Sequence, residues 1–170
     1  MKKTILLLSL LFFVSMNAQE NTEKNYTEIK LNVLSTVLNT VEIEFERTIN
    51  SDSSIGASLF SKFDDTGDAF SYDYDSGITG FYRYYLGKQY AQGIFFEGFG
   101  MFHSSRYPIM NQVNATEINN NLLLGLGVGY KWIFKNGITL QANYSPGINL
   151  FDDEFEDNSG RAGISVGYRF

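Results

Sequence analysis

From Thr27 onward, apolar and polar side chains alternate along most of the chain, the two-residue period of strands with unlike faces. The last ten residues, RAGISVGYRF, carry Ala162, Ile164, Val166, Tyr168 and Phe170 on one face. Arg161, Gly163, Ser165, Gly167 and Arg169 occupy the other. Val41–Ile49 sets Val41, Ile43 and Phe45 against Glu42, Glu44 and Glu46, and a helical repeat would scatter those glutamates around a cylinder. The same alternation predicts strands over Thr27–Leu38, Ile55–Leu59, Ile78–Leu86, Leu122–Phe134, Ile138–Ser145 and Arg161–Phe170. In GIFFEGFGMFH (93–103) both faces carry aromatics, and only Glu97 selects an inner face.

Turn signals divide these eight strands into a meander. Connections after the second, fourth and sixth strands are short, and KNG (135–137) reads as a tight turn. Those after the third, fifth and seventh are long and polar, giving loops 63–77, 104–118 and 150–160. The first connection, STVLNT, is short where this scheme calls for a long one.

Residues 1–18 are expected to be removed before folding. Lys2 and Lys3 precede an apolar run too short to span a membrane, and small Ala18 offers a cleavage point, the pattern of a secretory signal peptide. The remaining 19–170 is one domain in length. Without the two lysines the formal charge of −6 becomes −8, which leaves no electrostatic footprint for nucleic acid. The absence of cysteine removes disulfides as a source of stability. Fifteen Phe and eleven Tyr suit pleated surfaces, and mean hydropathy is −0.15. A chain this polar on average meets lipid, if it does, with only half of each strand.

The apolar faces are expected to meet lipid and the polar faces a lumen. Tyr82, Tyr84, Tyr130, Trp132, Tyr144 and Tyr168 lie toward the ends of the apolar faces, as in an interfacial aromatic girdle. The polar faces mix glycine with both charge signs, and eight strands leave a lumen that side chains can fill. Glu42, Glu44, Glu46, Arg83, Glu97, Lys131 and Arg169 are the expected lumen ion-pair network, with Lys30 and Arg161 on the same faces. A closing strand of alternating hydrophobics ending in Phe is similar to the C-terminal signal read by the barrel-assembly machinery, which singles out Tyr168 and Phe170. Over roughly 26–170 the chain resembles small eight-stranded outer-membrane barrels of the OmpA/OmpX type. LNVLSTVLNTVEIEFERTINSDSSIG also resembles the start of an uncharacterised family of small outer-membrane barrels, which supplies no activity. The resemblance implies an all-β, eight-stranded antiparallel up-and-down transmembrane β-barrel, monomeric in the outer membrane. Its partners would be membrane lipids, the assembly machinery and an extracellular partner at the long loops. The alternative orientation is a soluble periplasmic barrel with Leu122, Leu124 and Leu126 inside, around a small apolar ligand.

The chemical candidates are few. His103 is the sole histidine, Ser105 shares its face, and Glu117 lies across the next hairpin. A serine nucleophile needs a base, and the base an orienting carboxylate. The order His-x-Ser then Glu is similar to the catalytic arrangement of outer-membrane lipid A deacylases, so a lipid A-modifying hydrolase stands as the enzyme alternative. If Glu97 points inward, however, so does His103. No cofactor is expected beyond weak divalent-cation binding by acidic loops. Asp64, Asp65, Asp73 and Asp75 are candidate ligands there, without the ligand spacing of an EF-hand. With charges crowding so narrow a lumen, a plug of ion pairs is expected in place of an open channel.

Overall fold

The computed structural model describes residues 25–63, 74–87, 89–108, 116–150 and 159–170. The expected signal segment 1–18 lies outside them. Strands β1 (Thr27–Asn32), β2 (Thr40–Thr48), β3 (Ser53–Lys62) and β4 (Ser76–Tyr85) form the first half of the fold. The second half is β5 (Gly93–Pro108), β6 (Thr116–Ile133), β7 (Ile138–Asn149) and β8 (Ser159–Arg169). Each pairs antiparallel with its neighbours in sequence, and β8 returns to β1 to close the barrel. Closure leaves no free sheet edge around the barrel itself, so the backbone of the wall is satisfied within the wall.

The alternation maps directly onto the two surfaces. Ile43, Leu59, Ile78 and Phe102 follow one another in register across β2–β5, and all face outward, about half exposed. One residue along, Glu44, Ser58, Thr79, Met101 and Leu123 follow in register across β2–β6, and all are buried inside. The polar face is therefore the core of this molecule and the apolar face its surface. Leu124 and Leu126 are 43% and 76% exposed on that outer surface. That overturns the soluble orientation in which Leu122, Leu124 and Leu126 would line an apolar cavity.

Several strand boundaries differ from the sequence expectation. The strand expected over Thr27–Leu38 stops at Asn32, and Val33–Val37 form a single helical turn, α1. Asn32 is extended, with φ −78° and ψ 106°, and its side chain accepts from the Ser35 amide as an N-cap. The Ser35 and Thr36 hydroxyls donate back to the Asn32 carbonyl at 2.9 and 3.0 Å. Local hydrogen bonds thus compete with the ladder and end the strand. Asn32 also extends the wall beyond its own strand: its Oδ1 accepts from Ile164 N at 3.2 Å, and its Nδ2 donates to Ala162 O at 3.4 Å. The carboxamide occupies the place of a further backbone amide opposite β8.

The second difference is the expected loop 104–118. β5 and β6 stay paired as far as Pro108 opposite Thr116, so most of that stretch is strand. Pairing of β5 with β4 ends at Ser104, and that of β6 with β7 at Leu123. The β5–β6 hairpin therefore rises past both neighbours as an arm. Similarly, Ser76–Gly77 and Ser159–Gly160, expected in loops 63–77 and 150–160, belong to β4 and β8.

Candidate functional site

The interior is built in layers, and the deepest is ionic. Glu46 on β2 is its hub. One oxygen accepts from Lys131 Nζ, Ser54 Oγ and Tyr85 Oη, each at 2.6 Å. The other accepts from Lys30 Nζ and, at 2.5 Å, from Arg83 Nη1. Arg83 also bonds Glu44 with both terminal nitrogens, at 2.8 and 3.0 Å, and Glu97 with Nε at 2.8 Å and Nη2 at 2.6 Å. Arg161 reaches Glu42 at 2.9 Å and Glu97 at 3.5 Å, and Ser58 donates to Glu42 at 2.7 Å. Glu28 joins Lys30 at 3.0 Å, Lys131 at 3.1 Å and Arg169 at 2.5 Å. Five carboxylates and five cations from six strands thus form one buried, charge-balanced network. Every residue of the expected lumen set takes part.

Sequence reasoning missed Glu28, although it shares the parity of Lys30, the signal that would have found it. The alternation puts Lys30 and Arg161 on the polar faces, and the structure adds both to the network. Tyr85 and Asn32 were also missed. The Tyr85 hydroxyl donates to Glu46, and Asn32 Nδ2 donates to Glu42 at 2.7 Å. An aromatic or an amide on an inward face carries no charge by which to be recognised.

Rings surround this ionic layer. Arg83 lies 4.0 Å from the Phe81 ring centroid and 4.9 Å from that of Phe95, and Arg161 also faces Phe81. Such contacts help a desolvated guanidinium. Toward the end of the barrel where β3 hands over to β4, Phe60, Tyr74, Phe81, Phe99, Met101 and Leu123 form an apolar layer. Sequence reasoning did not anticipate it.

Beyond that layer lie His103 and Ser105, 4% and 2% exposed, both turned inward. His103 Nε2 is 3.1 Å from Asn149 Oδ1, its Nδ1 is 3.5 Å from Ser105 Oγ, and its ring packs 4.2 Å from that of Tyr74. Glu117 stands on β6 opposite Tyr107, whereas the register partner of Ser105 is Asn119. The structure thus brings His103 and Ser105 together, beneath the wall and away from its outer surface.

Of the candidate cation ligands, Asp64, Asp65 and Asp73 lie outside the described residues. Asp75 is the residue before β4, its amide bonded to the Ser104 carbonyl at 2.8 Å. Among the described residues no three His, Cys, Asp or Glu side chains converge as a metal site.

At the other end, Phe170 exchanges backbone hydrogen bonds with Thr27, at 2.9 and 3.0 Å. The rings of Tyr168 and Phe170 lie nearly parallel on the outer face, 6.3 Å apart.

This geometry defines a class: a closed, up-and-down, eight-stranded antiparallel barrel with polar side chains inside and apolar ones outside. Within that class, the fold is similar to the N-terminal β-barrel domain of OprF from Pseudomonas aeruginosa, seen in a crystal structure. The TM-score is 0.57 at 12% identity, over 86% of this chain and 96% of that one. What the two share at that identity is the fold, in agreement with the small barrels that the sequence resembles. No protein-family model and no curated protein matches the sequence.

Proposed function

We propose that this protein is a non-enzymatic barrel of a Gram-negative outer membrane, which supports envelope integrity and displays its outer loops to a partner. One observation carries the reading: an exposed apolar wall encloses a fully paired ionic core. In water that wall would be a large exposed apolar surface of the kind that marks interaction sites or membrane contact. In a bilayer it is the expected lipid-facing band, and the polar face the expected lumen.

The balanced network favours anchoring over transport, since each charge inside already has a counter-charge in contact. The β5–β6 arm stands at the end of the barrel where β3 is joined to β4 and β7 to β8, and supports a display role there. Export by a cleaved signal, recognition of Tyr168 and Phe170 by the assembly machinery, a monomeric state and weak cation bridging at the acidic loops belong to the same proposal. Hydrolysis of lipid A has less support. His103 and Ser105 point into the barrel, whereas an acyl chain would lie against its outside.

Fractionation of expressing cells together with planar-bilayer recording tests this reading. The protein should sediment with outer membranes, run faster on gels before boiling than after, and give no stepwise conductance. Recovery in the soluble periplasm would sink the membrane placement, and steady single-channel steps would sink the plugged lumen.

A further inference from the structure

We infer that the segment Gln89–Gln92 is a strap drawn across one mouth of the barrel, and that Arg169 is its latch. The inference deepens the proposed function and rests on it for its physiological meaning, while its geometry stands alone. The segment belongs to the connection between β4 and β5. Going round the wall from β4 to β8 passes β3, β2 and β1, so β8 stands on the opposite side of an eight-stranded barrel. Yet Arg169 on β8 donates from Nη1 to the Tyr90 carbonyl at 2.9 Å and from Nη2 to the Ala91 carbonyl at 3.0 Å. The contact crosses the mouth.

Four further observations fit a seated strap. Ala91 is fully buried and packs with Tyr85 and Phe95, whose side chains point into the lumen. Its amide donates to the Ser51 carbonyl in the β2–β3 turn at 2.7 Å. Its φ of +44° lies in the left-handed region, which a residue with a Cβ adopts when its surroundings hold it there. Tyr90 meets Tyr26 edge to face, at 5.4 Å between centroids, and the Arg169 guanidinium stands 5.1 Å from the Tyr26 ring.

The latch is tied to closure of the barrel. Arg169 and Glu28 are register partners in the β1–β8 seam, and Arg169 Nε donates to Glu28 Oε1 at 2.7 Å. The guanidinium can therefore reach the strap only when the last strand has found the first. Once seated, the strap is held by a handful of hydrogen bonds that belong to no strand ladder. It can lift without unzipping the wall, and lifting exposes the Glu28–Lys131 end of the ionic layer.

The chain has no cysteine, so Ala91→Cys introduces a single reporter thiol. The full-length protein in lipid vesicles is treated with a small hydrophilic thiosulfonate, in the parent background and with Arg169→Gln or Arg169→Lys. Lysine keeps a cation for Glu28 but lacks the fork that spans two carbonyls. The introduced thiol should label slowly in the parent and about ten- to a hundredfold faster in both variants, the change expected when hydrogen bonds to a charged group are lost. In the unmodified chain, the Ala91 amide should exchange with solvent sooner than the ladder amides of Thr79 and Met101. Equal labelling in parent and correctly folded variants overturns the inference. So does exchange of Ala91 as slow as that of the ladder, a result that decides the matter even where an Arg169 variant does not fold. A barrel that needs no amphiphile would overturn the membrane reading instead, and leave the labelling result legible.

Discussion

Each lumen residue is worth what its partners would lose without it. Arg83 shows this most plainly: fully buried, it bonds Glu44, Glu46, Glu97 and the Gln141 side-chain oxygen at once. A buried ion pair barely repays its desolvation, but removing one member leaves the other charged and unpaired. Arg83→Met should therefore cost about 3–5 kcal/mol in urea unfolding from lipid vesicles, although methionine fills much of the space. A loss near zero would mean that water reaches the three glutamates. Arg83 and the β2 glutamates were readable as lumen residues because charge at period two has a single place to go. Which carboxylate each cation meets was not readable. The partners lie 37 to 141 residues apart in several pairs, and side-chain reach across a lumen has no one-dimensional signature.

Between elements, the organising device is a ring laid over a glycine. Phe81 faces Gly56, Phe60 faces Gly77, Phe99 faces Gly125 and Phe95 faces Gly129, each pair directly opposite on neighbouring strands. A Cβ at Gly129 would stand 2.3 Å from Phe95 Cζ and 2.6 Å from the Ala142 carbonyl. Gly129→Ala should thus destabilise the barrel by about 1–3 kcal/mol, the usual cost of overpacking. Gly80 faces outward with nothing within 4 Å of an added Cβ, and Gly80→Ala should stay within about 0.5 kcal/mol. Denaturant midpoints of the two variants in the same vesicles make the comparison, and equal losses would refute the pairing argument. The device also explains why β5 was ambiguous in sequence. FFEGFGMF puts aromatics on both faces, and the inward rings of Phe95 and Phe99 are accommodated by glycines on the neighbouring strand β6. The end of β1 was misread for a different reason. Asn32 satisfies the local pattern of a strand and of an N-cap equally, and its bonds to β8 become visible only when that strand is alongside.

For the whole molecule, the decisive property is which surface is greasy. Leu126 lies near the middle of the outward residues of β6 and is 76% exposed. Leu126→Arg should cost about 2–4 kcal/mol in a bilayer, the penalty for arginine at mid-depth on a lipid-facing strand. No change in stability in vesicles would place that face in water and remove the membrane reading. The sequence by itself determined the strand count, the two faces, the closing strand and most of the charged content of the interior. Those features follow from a period of two and from the cost of hiding charge or exposing grease, and both are local. Only the tertiary structure decided the pairing of five carboxylates with five cations, the apolar layer beneath His103 and Ser105, and the crossing of the mouth by Ala91 and Arg169. Each depends on strands far apart in sequence meeting across a closed wall, and closure is a property of all eight strands together.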